Sequence, residues 1–104
     1  MNVRIDEEGI RFRIVPSDLS VLLGGGELKQ RVSIGADNFE YRIVPIVSGQ
    51  EMALEMNGNG FILSVPPAAL EQLRGLGKSK NGISVKSGDA EISLQVDLKA
   101  YKAA

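Results

Sequence analysis

The sequence predicts an α+β domain in which a ββαββ unit occurs twice. Residues 10–26 and residues 61–77 each read as an alternating strand, a proline, a short segment with apolar residues at helical spacing, and glycines. The same order of strand, helix and stop signals in two stretches is typical of an internal repeat. Residue n also matches residue n+51 without a gap, so that residues 3–47 align with residues 54–98. We therefore interpret the whole chain, residues 1–104, as a single domain made of two repeats.

A hairpin opens the first repeat. Its first strand is short and covers residues 2–6, and its second strand covers residues 10–15, where apolar residues alternate with arginines. Gly9 lies in the turn between them, where it can supply a positive φ. A helix over residues 16–23 follows, because a proline suits the first turn of a helix and three glycines come directly after it.

A second hairpin completes the repeat, with strands over residues 27–35 and 39–47. The join at residues 48–51 is too short for a free linker, so the two repeats should form one body. The second repeat follows the same plan, with strands over 52–56 and 61–65, a helix over 67–74, and strands over 82–87 and 90–98.

Matched positions of the two repeats share residue types. Apolar residues match at pairs such as Ile14/Val65 and Val32/Ile83. The identical pairs are Gly9/Gly60, Pro16/Pro67, Leu19/Leu70, Leu22/Leu73, Gly24/Gly75, Gly26/Gly77, Ser33/Ser84 and Glu40/Glu91.

Two short helices cannot cover the apolar faces of eight strands, so these faces must largely bury each other. Because adjacent hairpins favour antiparallel pairing, we predict a mainly antiparallel eight-stranded arrangement, either barrel-like or of two facing sheets, with the helices closing the ends. The predicted core residues are apolar and face inward: Phe12, Ile14, Leu19, Leu22, Ile43, Leu63, Val65, Leu70, Leu73, Ile92 and Leu94.

The composition excludes several kinds of chemistry. The chain has no cysteine and no histidine, which removes disulfides, thiol and imidazole catalysis and the usual zinc ligands. Its net charge of −1 gives no global attraction to nucleic acid or to an anionic membrane. No apolar run approaches the roughly 20 residues of a membrane span, and no signal-peptide pattern is seen. We expect a cytoplasmic protein with neither nucleic acid nor a membrane as partner.

Most of the arginines fall in the first repeat, and strand alternation places these on the side away from the core. They are Arg4, Arg11, Arg13, Arg31 and Arg42. Asp6 and Glu40 share that side. Guanidinium groups suit bidentate contact with carboxylate or phosphate. We expect Arg11, Arg13 and Arg42 to cluster on one face that could hold a phosphate-bearing ligand.

Two functions are open at this point. The first is a non-catalytic binding or interaction module that self-associates, because no catalytic constellation is evident and the arginines can be solvent-facing partners of acidic residues. The alternative is a binding protein or enzyme for a phosphorylated or polyphosphate ligand, with the arginines as clamp and Asp6 or Glu40 holding Mg²⁺. No cofactor is expected apart from that Mg²⁺. The basic side has no aromatic platform, which argues against single-stranded nucleic acid.

The opening Arg4-Ile5, followed by Ile10-Arg11-Phe12-Arg13 and the pair Asp18-Leu19, carries a family resemblance. With the later run over residues 39–43, it is similar to a small bacterial family of about this length that is known only as a domain of unknown function. The resemblance covers most of the first half and is weaker in the second. It implies a bacterial cytoplasmic protein and no known activity.

A second resemblance is topological. A duplicated unit of one helix and four strands, read circularly, is similar to the tunnel barrel of the CYTH-like triphosphatases, which is lined by Arg, Lys and Glu. The opening E-x-E-x-K strand of that family has no match here, since Arg4-Ile5-Asp6 stands in its place. The analogy therefore concerns the fold, and it does not carry function.

Overall fold

The computed structural model describes residues 1–75 and 82–97. The predicted helix stop at Gly77 and the predicted strand end at Leu98 lie outside the described residues. Within them, eight strands and two helices follow one another in the order ββαββ in each half. The elements are β1 (Asn2–Asp6), β2 (Gly9–Ile14), α1 (Pro16–Leu23), β3 (Leu28–Ile34), β4 (Asp37–Pro45), β5 (Ala53–Asn57), β6 (Gly60–Val65), α2 (Pro67–Gly75), β7 (Ile83–Ser87) and β8 (Ala90–Val96).

The strands form two four-stranded sheets, and each sheet takes one hairpin from each half of the chain. Sheet A has the strand order β1-β2-β8-β7, and sheet B has the order β3-β4-β6-β5. The outer pairings are antiparallel, whereas the central pairs β2–β8 and β4–β6 are parallel. The sheets are therefore mixed, and the expectation of antiparallel pairing was wrong at the two centres. Of the two predicted arrangements, the described strands adopt two sheets and not a closed barrel.

The two parallel central pairs have equivalent registers. Gly9 lies opposite Glu91 in sheet A, and Gly60 lies opposite Glu40 in sheet B. A shift of 51 residues along the sequence converts one pairing into the other. At the other end of each parallel pair, two backbone hydrogen bonds are also related by 51 residues. The Asp97 N–H donates to the Ile14 carbonyl, and the Ile46 N–H donates to the Val65 carbonyl.

The ungapped match of the two repeats fails at β3 and β7. Leu28 pairs with Ile43 and Ile83 pairs with Leu94, so β3 and β7 correspond at a spacing of 55 residues and not 51. The β3–β4 hairpin runs two residues further along each strand before its turn. The predicted pair Ser33/Ser84 therefore does not occupy equivalent places. Because the displacement is an even number of residues, the alternation of inward and outward side chains hides it.

One apolar core lies between the sheets and the helices. Of the predicted core residues, ten are buried, and Leu19 is half-buried against the same cluster. Tyr41, a half-buried residue, stacks on Phe61 with ring centroids 5.8 Å apart. The core cluster also contains buried residues that were not predicted as core: Ile10, Leu28, Met52, Phe61, Ala69 and Ile83.

Each sheet has its hairpin turns at one end and its helix connection at the other. In sheet A, β2 and β8 are parallel and both begin at a turn, and α1 follows the far end of β2. Pro16 starts α1, and the Asp18 carboxylate accepts a hydrogen bond from the Val15 N–H at 3.3 Å, which caps the helix. The helix contacts β3, β4 and α2, and it buries Leu22. The opposite ends of the sheets thus carry loops and no helix.

Leu22→Ala and Leu73→Ala should each lower the free energy of unfolding by about 2–5 kcal/mol, because both side chains are enclosed and their truncation leaves cavities. Urea denaturation followed by far-ultraviolet circular dichroism measures the change. Leu23→Ala is the matched control: its side chain is 41% exposed, so a change within about 0.5 kcal/mol is expected. If both substitutions change the free energy of unfolding as little as Leu23→Ala does, the helices do not pack on the sheets.

Gly9→Ala and Gly60→Ala should each destabilise the fold by about 1–3 kcal/mol or more, as overpacking does. A Cβ at position 9 would overlap the backbone of Glu91, and one at position 60 would overlap the backbone of Glu40. Thermal unfolding of both variants tests this, with Gly58→Ala as control because nothing lies within 4 Å of a Cβ there. A control that loses as much stability as the test variants would contradict the close approach of the parallel strands.

Candidate functional site

The five arginines singled out in the sequence lie on two different sheets. Arg4, Arg11 and Arg13 belong to β1 and β2, and face outward from sheet A, whereas Arg31 and Arg42 belong to β3 and β4 in sheet B. Because the inner faces of both sheets share one core, their outer faces point away from each other. The expectation that Arg11, Arg13 and Arg42 form one cluster was therefore wrong.

The arginines of sheet A are direct neighbours across strands. Arg4 lies opposite Arg11, and Arg13 lies between Asn2 on one side and Gln95 on the other. We call this surface the basic face; it consists of Arg4, Arg11, Arg13, Asn2 and Gln95. A concavity of about 250 Å³ opens on it, and Val3 completes the lining. Three guanidinium groups and two amide side chains thus border the same shallow depression.

Few carboxylates balance the basic face. Arg11 contacts Glu8 at 3.3 Å, and both side chains are at least half exposed. Arg4 and Arg13 make no ion pair within residues 1–75 and 82–97. The carboxylate of Asp6 accepts hydrogen bonds from backbone N–H groups of its own turn, at 2.8 and 3.3 Å. Since like charges directly opposite on neighbouring strands are destabilising, the Arg4–Arg11 pair weakens the sheet unless an anion lies between them.

The arginines of sheet B are paired. Arg42 donates two hydrogen bonds to the Glu27 carboxylate, from Nε at 3.3 Å and from Nη2 at 2.9 Å. Glu40 has three cationic neighbours, Lys29 at 3.8 Å, Arg31 at 3.4 Å and Arg42 at 4.0 Å. On this face the simpler sequence interpretation, cross-strand pairs of Arg with acidic residues, agrees with the structure. We call this set of residues the ion-pair network; it consists of Glu27, Lys29, Arg31, Glu40 and Arg42.

The hydrogen bonds between Arg42 and Glu27 shift the pKa values of both side chains. They lower the pKa of the Glu27 carboxyl from its ordinary value, with Lys29 adding a smaller effect, and they raise the pKa of Arg42. Because the pKa of Glu27 is lower in the folded state, the pair stabilises the fold above the ordinary pKa of 4.5. That contribution is lost as the pH falls through the folded-state pKa.

Arg42→Ala should return the pKa of Glu27 toward its ordinary value, because the hydrogen bonds from Arg42 are the main cause of the shift. A carboxyl ¹³C NMR titration of Glu27 measures this directly. Arg31→Ala removes an equal charge from the same face without touching Glu27, and should leave the titration midpoint of Glu27 nearly unchanged. Equal shifts in both variants would mean that general surface charge, and not the paired contact, sets the pKa of Glu27.

The two carboxylates that the sequence offered as alternative Mg²⁺ ligands lie on different sheets. Asp6 lies on β1 of sheet A, and Glu40 lies on β4 of sheet B with three cations around it. Among the described residues, no three acidic side chains come together as metal ligands.

Sequence reasoning missed four residues that shape these two faces. Asn2 and Lys29 alternate with Arg4 and Arg31 along their strands, so the period-2 pattern could have identified them. Glu27 lies just before β3 and carries no local signal for its contact with Arg42. The position of Gln95 depends on the parallel pairing of β2 with β8, which local sequence does not specify.

Comparison with known families gives one finding. Residues 1–102 match the model of a family of unknown function, DUF7009. The chain belongs to DUF7009. The match confirms the resemblance to a small family of unknown function, and it extends over both halves of the chain. A search of the curated proteins finds no match. Neither described helix of this DUF7009 protein is long and apolar enough to cross a membrane.

Proposed function

We propose that this DUF7009 protein is a non-catalytic binding module whose basic face holds an anionic ligand, most simply a phosphorylated small molecule or an oligophosphate. The observation that carries the proposal is the direct opposition of Arg4 and Arg11, with Arg13 beside them and, in the part of the chain that the structure describes, one carboxylate, that of Glu8, in an ion pair with them. An anion between these groups would turn an unfavourable arrangement into a favourable one. Sheet B differs from sheet A in this respect, because Arg31 and Arg42 each have an acidic partner.

The spacing of the arginines favours a ligand with several anionic oxygens. Directly opposed residues have Cβ atoms about 5 Å apart, and alternate residues of a strand, such as Arg11 and Arg13, lie about 7 Å apart. Each guanidinium offers a planar fork of donors that matches a phosphate or carboxylate edge. One small anion can engage two of these forks, whereas an oligophosphate can engage all three.

Several features favour binding over catalysis. The chain has neither cysteine nor histidine, and arginine is a poor proton carrier because it stays charged at any relevant pH. The concavity lies on an open sheet surface, where water reaches the ligand. The phosphate-directed enzyme that we considered from the sequence has less support, because one of its alternative Mg²⁺ ligands, Glu40, lies on sheet B, and the other, Asp6, accepts hydrogen bonds from its own turn.

We further propose that the two halves descend from an internal duplication. The equivalent registers of the parallel pairs support this, as does the repeated element order. At the positions that match Arg4, Arg11 and Arg13, the second half has Glu55, Ile62 and Ser64. The basic face is thus specific to sheet A. We also propose that the protein acts in the bacterial cytoplasm and associates with itself; the lack of cysteine is in keeping with a reducing compartment.

Tripolyphosphate should bind the protein in calorimetry at low salt, and binding should weaken between about 20 mM and about 0.5 M NaCl as salt screens the attraction. Arg11→Ala combined with Arg13→Ala should lower the affinity about tenfold or more, because a charged hydrogen bond contributes about 1.5–3 kcal/mol. Both side chains face solvent, so the variant should keep its fold.

The matched control is the variant Arg31→Ala with Arg42→Ala. It changes the net charge of the protein by the same amount but on sheet B, and it should keep its affinity for tripolyphosphate. An equal loss of affinity in both double variants would mean that the overall charge of the protein, and not the basic face, determines the binding of tripolyphosphate. If no phosphate ligand gives a heat of binding, the hypothesis of an anion site on the basic face is wrong. The interpretation as an interaction module without an anionic ligand would then remain.

A further inference from the structure

The outer face of sheet B carries a second and larger concavity, of about 530 Å³, where β6 begins. The cross-strand row at this place is Glu40, Gly60 and Asn57. Gly60 contributes no side chain to this row, and its backbone lies directly against the backbone of Glu40. We call this depression the amide cleft. Its lining residues are Arg31, Asn38, Glu40, Arg42, Asn57, Gly58, Asn59, Phe61 and Ile62.

Among the described residues, the charges that border the amide cleft are already paired, with three cationic groups on two carboxylates. Arg31 pairs with Glu40 at 3.4 Å, and Arg42 is held by Glu27 through two hydrogen bonds. An anionic ligand would have to compete with these carboxylates, and a cation would meet three positive groups around Glu40. The cleft therefore presents strong hydrogen-bonding groups whose charges are largely taken up by ion pairs.

Amide side chains supply further donors. The Oδ1 atom of Asn38 accepts a hydrogen bond from Ser33 at 2.9 Å, and that of Asn57 accepts one from the Asn59 N–H at 3.0 Å. Within the described residues, the NH₂ groups of both side chains stay available. At the positions of sheet A that match Asn57 and Asn59, the chain has Asp6 and Glu8. Amides in sheet B thus stand where sheet A has carboxylates, which again removes charge from the cleft.

We propose that the amide cleft binds a neutral polyhydroxylated ligand of the sugar class. A hydroxyl group both donates and accepts, so neighbouring hydroxyls can receive hydrogen bonds from guanidinium and amide groups and donate one to Glu40. The half-buried Ile62 gives an apolar contact for the C–H face of a ring. This site is independent of the anion site, because the two lie on the outer faces of different sheets.

Amide NMR spectra of the ¹⁵N-labelled protein, titrated with glucose, galactose, mannose and N-acetylglucosamine to about 100 mM, test the proposal. This concentration saturates a site even when the Kd is about 1 mM. At least one sugar should shift resonances within residues 38–42 and 57–62. The shifts should be insensitive to added NaCl, in contrast to those caused by tripolyphosphate.

Arg31→Ala combined with Asn59→Ala should weaken the sugar-induced shifts about tenfold, since a hydrogen bond contributes about 1 kcal/mol and one to a charged group more. Neither side chain is needed for a buried contact. The matched control, Arg13→Ala with Asn2→Ala, removes the same two residue types from the basic face, and should weaken tripolyphosphate binding but not sugar binding. No localised shift with any of the four sugars, or equal weakening in both variants, would overturn the proposal. Neither result bears on the anion site.

Discussion

Two parallel strand pairings, β2 with β8 and β4 with β6, hold the rest of the structure in place. At the start of each pair a glycine backbone lies directly against the backbone of a glutamate residue, Gly9 against Glu91 and Gly60 against Glu40. A side chain at either glycine would separate the strands. Each contact joins the first hairpin of one half to the second hairpin of the other, so neither half can complete a sheet alone. The core forms only when all four hairpins come together, which makes folding depend on contacts distant in sequence.

The same pairings decide which polar side chains meet. Because β1 and β2 join β8, the arginines of the first hairpin meet neutral neighbours such as Ser93 and Gln95. Because β4 joins β6, the arginines of the second hairpin lie beside Glu40, whose backbone meets that of Gly60. Two sets of arginines that are close in the sequence are thereby separated by the thickness of the core. All these arginines carry the same guanidinium group, so the chemistry of the two sets differs only through their neighbours.

Local sequence signals predicted the elements well, since each depends on a short pattern. Alternation of Phe12 and Ile14 with arginines identified β2, and Pro16 with the glycines after Leu23 bounded α1. The parallel centres could not be predicted, because nothing near β2 specifies β8 as its neighbour. The displacement of β3 against β7 was hidden, because an even displacement keeps every apolar residue on the inner face. The prediction of one arginine cluster was wrong because alternation identifies the side of a strand on which a residue lies, but not the sheet to which the strand belongs.

The two sheets share one strand arrangement but have unlike outer faces, so one small chain presents two chemically different surfaces. Cross-strand rows of side chains have the same geometry in sheets A and B, because the central registers are equivalent. On sheet A the row through Arg4 and Arg11 concentrates positive charge, so the attraction of an anion to it would be sensitive to salt. On sheet B the row through Glu40, Gly60 and Asn57 borders a concavity whose charged groups are largely paired, so directional hydrogen bonds and not long-range attraction would select a ligand. Substitutions at a few outward positions can make this difference without disturbing the core, because outward side chains contribute little to packing.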